Sequence, residues 1–434
     1  MRPPLFLALL AVCSPAARAA IDFDTLMQQG RAALTAADFP GAAGYFAQAC
    51  GSDPMSLSPP ARAAYCQHHL ATLSSAMGDA PGAERHYLGA SDRWQAAGSA
   101  YAAPHCATMM NLGEVYRRLH REKDSEAAFL KAAELARAAD RPDLYAEVLG
   151  RLGVLYHESM RLEPARTTLM EAIRRFEKLS TPVPAEEAYA RNGLGMVQLG
   201  DGQQAEAEAN LRLAVSLATA ALGEDNAETA SYQTNLALAL IVAGQFDRAN
   251  SLLRRAKLVL DAHGAGLDTQ KGLVLAELSA AAAGQNKLGM AEEYGAQALS
   301  TLSRQKDPNP TAIALARVNL ADIYLRARRL DDANRILPDA VAAERVLAPD
   351  TRLLADGLRR LAELRSLQHA WREAQDLYRE AIALYERRLG PNHPALAPVL
   401  RGYAEALKHD GGSKSDVRTL EARAKAVASS PPRS

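Results

Sequence analysis

The chain lacks an excess of either charge. Lys and Arg number 50, and so do Asp and Glu. A nucleic-acid binder of this size carries a basic surplus, so that class is excluded. Aromatic residues are scarce, at 5%. Disorder is excluded by a 48% apolar content, too high for a chain that cannot bury a core. No stretch is apolar for long enough to cross a bilayer. The run Leu5–Cys13 is too short, and Leu236–Gly244 belongs to a helical pattern described below. There is no P-loop, no G-x-S-x-G, no H-E-x-x-H and no C-x-x-C, so no reaction and no cofactor is assigned. Gly193-Leu194-Gly195 with Gly200 has the wrong spacing for a nucleotide loop and lies inside a helical pattern.

The first residues read as a leader. Arg2 precedes the short apolar run, and Ala17-Arg18-Ala19 forms an A-x-A cleavage pattern. Residues 1–19 are therefore expected to be removed, with an exported chain, periplasmic or secreted, beginning at Ala20. An alternative reading is an envelope-assembly lipoprotein anchored through Cys13 of Leu10-Ala11-Val12-Cys13. Cysteine is sparse: only Cys50, Cys66 and Cys106 follow the leader. In an oxidising compartment one pair can bridge and leave one thiol; the plainer reading is three buried free thiols. Cys50 and Cys66 fall on consecutive helices, and Cys66 and Cys106 on neighbouring first helices, so spacing leaves the pair open. Cys66, His68, His69, His105 and Cys106 form the one cluster of metal-ligating types. The plainer reading is separate histidines and cysteines serving the scaffold, and no metal is assigned.

A period runs through the rest. At 434 residues the chain is too long for one ordinary core, and a repeat explains how it folds. A small residue recurs at Gly30, Ala71, Gly113, Gly153, Gly195, Ala237, Ser279, Ala321, Ala362 and Ala404, at intervals of 40 to 42 residues. Twelve positions on comes a second small residue, from Ala42 and Ala83 to Ala333 and Ala374. Seven further on comes a third, from Ala49 and Ala90 to Ala340 and Ala381. Between these two stands a large apolar residue, among them Phe46, Tyr87, Phe129, Leu253 and Tyr378. The stretch Ser231–Ala256 shows the unit plainly. One apolar stripe opens at Asn235-Leu236-Ala237, Gly244-Gln245-Phe246 breaks it, and Ala249, Leu252, Leu253 and Ala256 make a second at helical spacing. Small residues let two helix axes approach, and the large one fills the gap to the next hairpin. A single hairpin cannot bury both faces, so stacking is obligatory.

These marks, with Tyr116, Tyr156, Leu240 and Tyr324 three positions after the first, resemble the tetratricopeptide repeat. The period is longer than the usual ~34 residues. With connectors such as Leu389–Pro394 and Leu222–Asn226 it is similar to the kinesin-light-chain type. The resemblance implies an all-α fold: a right-handed superhelical solenoid of about ten helix-turn-helix repeats, continuous over residues 20–427. A disordered tail, 428–434, follows. Proline clusters at Pro59-Pro60, Pro182–Pro184, Pro308–Pro310 and Pro349 mark repeat joints. The seventh copy carries Gly295 where the large residue belongs, with Gly284 and Gly289 nearby, and is expected to pack loosely. Val417, Leu420, Ala424 and Val427 form the single apolar stripe of a capping helix.

The resemblance also implies a protein or peptide ligand in a concave groove lined by the first helices. The residue two before the first mark faces that groove. Asn111, Asn235 and Asn319 match the family's backbone-binding asparagine, whose amide donates and accepts at once. Arg151, Glu277 and Arg360 stand at the same place in other copies. Asn192, Asp322 and Arg359, with Arg117, Arg118 and Arg326, add polar contacts. The candidate site residues are therefore Asn111, Arg151, Asn192, Asn235, Asn319, Asp322, Arg359 and Arg360.

Overall fold

The small–large–small pattern folds as its packing logic requires. The structure, a computed structural model, describes residues 22–51, 57, 59–263, 267–305, 308–347, 349 and 351–429. The leader 1–19, Cys13, the glycine-rich link at 264–266 and the last five residues lie outside them. Among the described residues there are twenty α-helices and no strand. They pair as ten hairpins. The first six helices are α1 (Phe23–Thr35), α2 (Phe39–Cys50), α3 (Pro60–Ala76), α4 (Ala80–Ala97), α5 (Ala102–Arg118) and α6 (Glu122–Ala138). Next come α7 (Pro142–Glu158), α8 (Leu162–Phe176), α9 (Pro184–Gly200), α10 (Gln204–Leu222), α11 (Ala227–Val242) and α12 (Phe246–Ala262). The chain continues with α13 (Asp268–Gly284), α14 (Leu288–Ser303), α15 (Pro310–Arg326) and α16 (Leu330–Leu347). It ends with α17 (Arg352–Leu367), α18 (Trp371–Leu389), α19 (Leu396–His409) and α20 (Lys414–Ala428). Two compact units share them, residues 1–148 and 149–434, and the division falls within α7.

Joint prolines open helices: Pro60, Pro184 and Pro310 are each a first helical residue, where a missing N–H costs nothing. Side chains cap other starts. Asp38 accepts from the Gly41 amide at 2.9 Å and Asp79 from the Gly82 amide at 3.0 Å. Every one of the ten hairpin turns puts the residue seven after the first mark into the left-handed region. Four of these are glycine (Gly78, Gly202, Gly244, Gly411) and six are not (Ala37, His120, Met160, Asn286, Arg328, His369).

The marks meet as the pattern demands. A Cβ on Gly113 would lie 2.7 Å from the Phe129 ring, and one on Gly153 would lie 2.5 Å from Leu169. The second small residues, such as Ala83, Ala249 and Ala333, are fully buried. A recurrent clamp ties hairpin turns to the preceding hairpin. The Arg121 guanidinium sits 4.3 Å over Tyr116 and bonds Glu84 of α4 at 2.9 Å. Arg329 sits 4.7 Å over Tyr324 and bonds Glu292 of α14 at 2.6 Å. Each combines a cation–π contact with a charged hydrogen bond.

The seventh copy departs from expectation. Gly289 has open space around it, but three other glycines face large side chains, one from the copy's own second helix and two from neighbouring copies. A Cβ on Gly272 would meet Leu302, one on Gly284 would meet Phe246 of the sixth copy, and one on Gly295 would lie 3.0 Å from Leu320 of the eighth. Small residues here are sockets, so the expected looseness at Gly295 is absent. At the far end α20 buries Val417, Ala424 and Val427 and exposes Arg418, Glu421 and Lys425, as a cap should.

Candidate functional site

In the second unit the inner helices α11, α13, α15 and α17 enclose a cleft of about 390 Å³. Its apolar floor includes Val242, Ala283, Val318, Ile323 and Leu353, and its polar wall is Asn319, Asp322, Arg326, Asp356, Arg359 and Arg360. Four of the sequence-selected residues, Asn319, Asp322, Arg359 and Arg360, thus share one cavity. The small side chains of Ala280, Ala283 and Gly284 on α13 open the cleft toward α15.

The wall is electrostatically organised. Arg360 pairs with Asp322 at 2.5 Å and reaches Glu363 at 3.6 Å. Burial works to discharge Arg359, but Tyr385, Asp356 and Glu363 around it outweigh that and hold the guanidinium charged. Tyr385, from the second helix α18, donates its hydroxyl proton to Asp356. Both acids of the wall are therefore matched. Arg326 is different: it is exposed, and its hydrogen bond goes to the neutral Asn286 Oδ1 at 3.4 Å. Asn319, half-buried, has no hydrogen-bond partner among the described residues. An amide that borders the cleft with both functions open can answer a donor and an acceptor of one ligand at once.

The other selected residues lie elsewhere. Asn235 donates its amide to Asn192 Oδ1 at 2.9 Å, a bond that ties neighbouring inner helices. Arg151 lies 5.8 Å over the Tyr189 ring. Asn111 lies in the first unit, in a smaller cavity of about 240 Å³ with Thr72, Ser75, Tyr87, Glu114 and Arg118. Sequence reasoning missed Asp356 and Tyr385. Asp356 sits one turn before Arg360 on the same face, which is the signal that could have found it.

Glu277 stands on α13 at the position equivalent to Asn319. It is buried, and burial pushes its carboxyl up to about 7.

The cysteine–histidine cluster resolves into separate contacts. Cys50 and Cys66 form a disulfide, with Cα atoms 5.7 Å apart, joining α2 to α3. Cys106 is a buried free thiol, which burial pushes up to about 12. His68 Nδ1 bonds Thr108 Oγ1 at 2.9 Å, and Thr108 also accepts from Trp94 Nε1. His69 stacks on Phe46, and His105 bonds Ser91. Burial lowers His68 to about 4 and His69 to about 3, which keeps both neutral within the scaffold. No group of three or more metal-ligating side chains occurs among the described residues.

A family model for the tetratricopeptide repeat matches residues 104–178 and 353–424. No curated protein sequence matches the chain. Among solved structures, the apo form of the quorum sensor NprR from B. thuringiensis is 13% identical. The match covers 83% of this chain and 98% of that one, with a TM-score of 0.56. A Rap protein complexed with Competence and Sporulation Factor is 14% identical over 75% of this chain and 99% of that one, with a TM-score of 0.53. The apo form of RapI is 15% identical over 65% and 99%, with a TM-score of 0.51. At these identities the likeness is one of fold.

Proposed function

From a chain built of tetratricopeptide repeats, we propose a non-catalytic scaffold that holds an extended, acidic protein segment in the inner cleft of its second unit. One observation carries this reading: among the described residues, the Asn319 amide has no hydrogen-bond partner and Arg326 on the same helix has no carboxylate partner, over an apolar floor. An extended backbone supplies both partners an asparagine needs. A carboxylate on the same segment answers Arg326. The two positions lie seven residues apart on α15, about 10 Å along the helix axis, roughly the span of three extended residues. That a Rap protein of similar fold is seen with Competence and Sporulation Factor supports a binding role.

Panning a random dodecapeptide phage library over residues 20–434 tests this. Acidic peptides should be enriched, and Arg326→Glu should turn the preference toward basic ones. Enrichment of nothing, or of peptides indifferent to Arg326→Glu, would count against the cleft.

Export is part of the same proposal. The leader pattern and the Cys50–Cys66 disulfide support it, since such bonds persist in oxidising compartments. The chain isolated from its native envelope should begin at Ala20; a lipid-modified Cys13 at its start would establish the anchored alternative instead.

A further inference from the structure

The hairpin turns of a solenoid lie along one edge of its ribbon and the connectors between hairpins along the other, so the helices run across the ribbon. In the second unit the two edges meet. The α9–α10 turn belongs to the fifth hairpin, and the α18–α19 connector joins the ninth to the tenth. Gly202 in that turn lies so close to His393 in that connector that a Cβ on it would stand 2.6 Å from the imidazole Nε2. Opposite edges touch only where one turn of the coil comes to rest on the next. The inner face is therefore walled at the side between these hairpins. The helices that carry the cleft, α11, α13, α15 and α17, lie within that stretch.

The connector is held from its own side. The Ala395 amide donates to His393 Nδ1 at 3.1 Å, so the neutral ring carries its proton on Nε2, the atom that faces the turn. Arg423 of α20 donates to the Pro391 carbonyl at 3.1 Å and to Glu386 of α18. The seam itself is hollow. It contains a cavity of about 420 Å³ with Glu163, Arg166 and Asp201 on one side and Arg387 and Arg388 on the other. Arg166 turns to its own side, to Asp201 at 2.5 Å and Glu163 at 3.4 Å. Within the ribbon, by contrast, neighbouring hairpins interdigitate, as where Phe246 fills the space at Gly284. A seam with a void between charged side chains forgoes those packing contacts and opens at less cost than a hairpin interface.

A segment lying from Asn319 to Arg326 follows α15 and so runs along the channel from edge to edge. We infer that the partner of this cleft is threaded through a closed coil. An acidic segment with a free chain end enters directly, whereas one held between two folded domains enters only while the seam is open. The protein therefore selects chain termini over internal segments. The inference rests on the proposed reading of the α15 cleft.

Stopped-flow association with the chain 20–434 tests it. An acidic dodecapeptide selected by panning is presented through flexible linkers with a folded domain at one end, or with a folded domain at each end. An open seam populated at no more than about 10% makes the doubly flanked form associate at least about tenfold more slowly than the singly flanked one. Glu163→Arg adds a fourth arginine to the seam at an exposed position. It should bring the doubly flanked rate up toward the singly flanked rate and leave the latter unchanged. Thermal melts identify a variant that has lost its fold, and His393→Ala then serves in its place. Equal rates for the two forms in the unsubstituted protein would overturn the inference while leaving the cleft intact. A slow doubly flanked form that neither variant speeds would overturn it too. A library that yields no ligand would instead contradict the proposed function itself.

Discussion

Glu277 and Asn319 occupy equivalent places on successive inner helices, yet their surroundings make them opposites. Asn319 has an open amide at the cleft, whereas Glu277 is buried with its carboxyl raised to about 7. A carboxyl that is harder to ionise in the fold than in the unfolded chain gives full stability below about pH 4.5. That stability is lost as pH rises toward 7. Unfolding free energy should therefore fall between pH 4.5 and 8 by at most about 3 kcal/mol on this account, and Glu277→Gln should abolish that component. Urea titrations of both proteins at pH 4.5 and pH 8 check this; an equal pH dependence would refute it. Turn residues make a second case. Arg328 holds a left-handed φ of 61°, which costs a non-glycine residue about 1–2 kcal/mol. Glycine adds about 0.5–1 kcal/mol of chain entropy in return. Arg328→Gly should raise stability by about 0.5 kcal/mol, read as a higher urea midpoint with unchanged slope. A search for Gly finds four of the ten turns and misses the six that use other residues.

At the scale of helices, the repeat was legible because its packing constraint is written into residue identity. A small residue must face a large one sixteen positions on, and Gly113 with Phe129 or Gly153 with Leu169 shows why. The seventh copy was read wrongly for a related reason. The side chains that fill Gly284 and Gly295 come from neighbouring copies, Phe246 and Leu320, and a reading confined to one hairpin does not see them. The cysteine pairing was equally undecided by spacing. Two pairings suited the helix order, and packing of α2 on α3 selects Cys50 with Cys66. This bridge closes a loop with a sequence separation of 16, so its loss should cost about 3 kcal/mol by loop entropy, acting on the first hairpin. Thiol titration of the denatured chain 20–434 without reductant should find one group, Cys106; three would exclude the bridge.

For the whole molecule, ten hairpins and their order could be read from the period. The residues of the inner face could be nominated but not ranked. Asn235 and Asn319 are indistinguishable by position. What separates them is a partner 43 residues away: Asn192 takes the amide of Asn235, and no described residue takes that of Asn319. A scaffold asparagine and a binding asparagine then differ in what their removal disturbs. The most direct test compares Asn319→Ala with Asn235→Ala, measuring thermal stability and the affinity of a panned acidic peptide for each. Asn319→Ala should weaken binding about tenfold and leave the melting temperature unchanged. Asn235→Ala should lower the melting temperature and leave the affinity within about twofold. Unchanged affinity in Asn319→Ala would contradict the assignment of the cleft as the binding site.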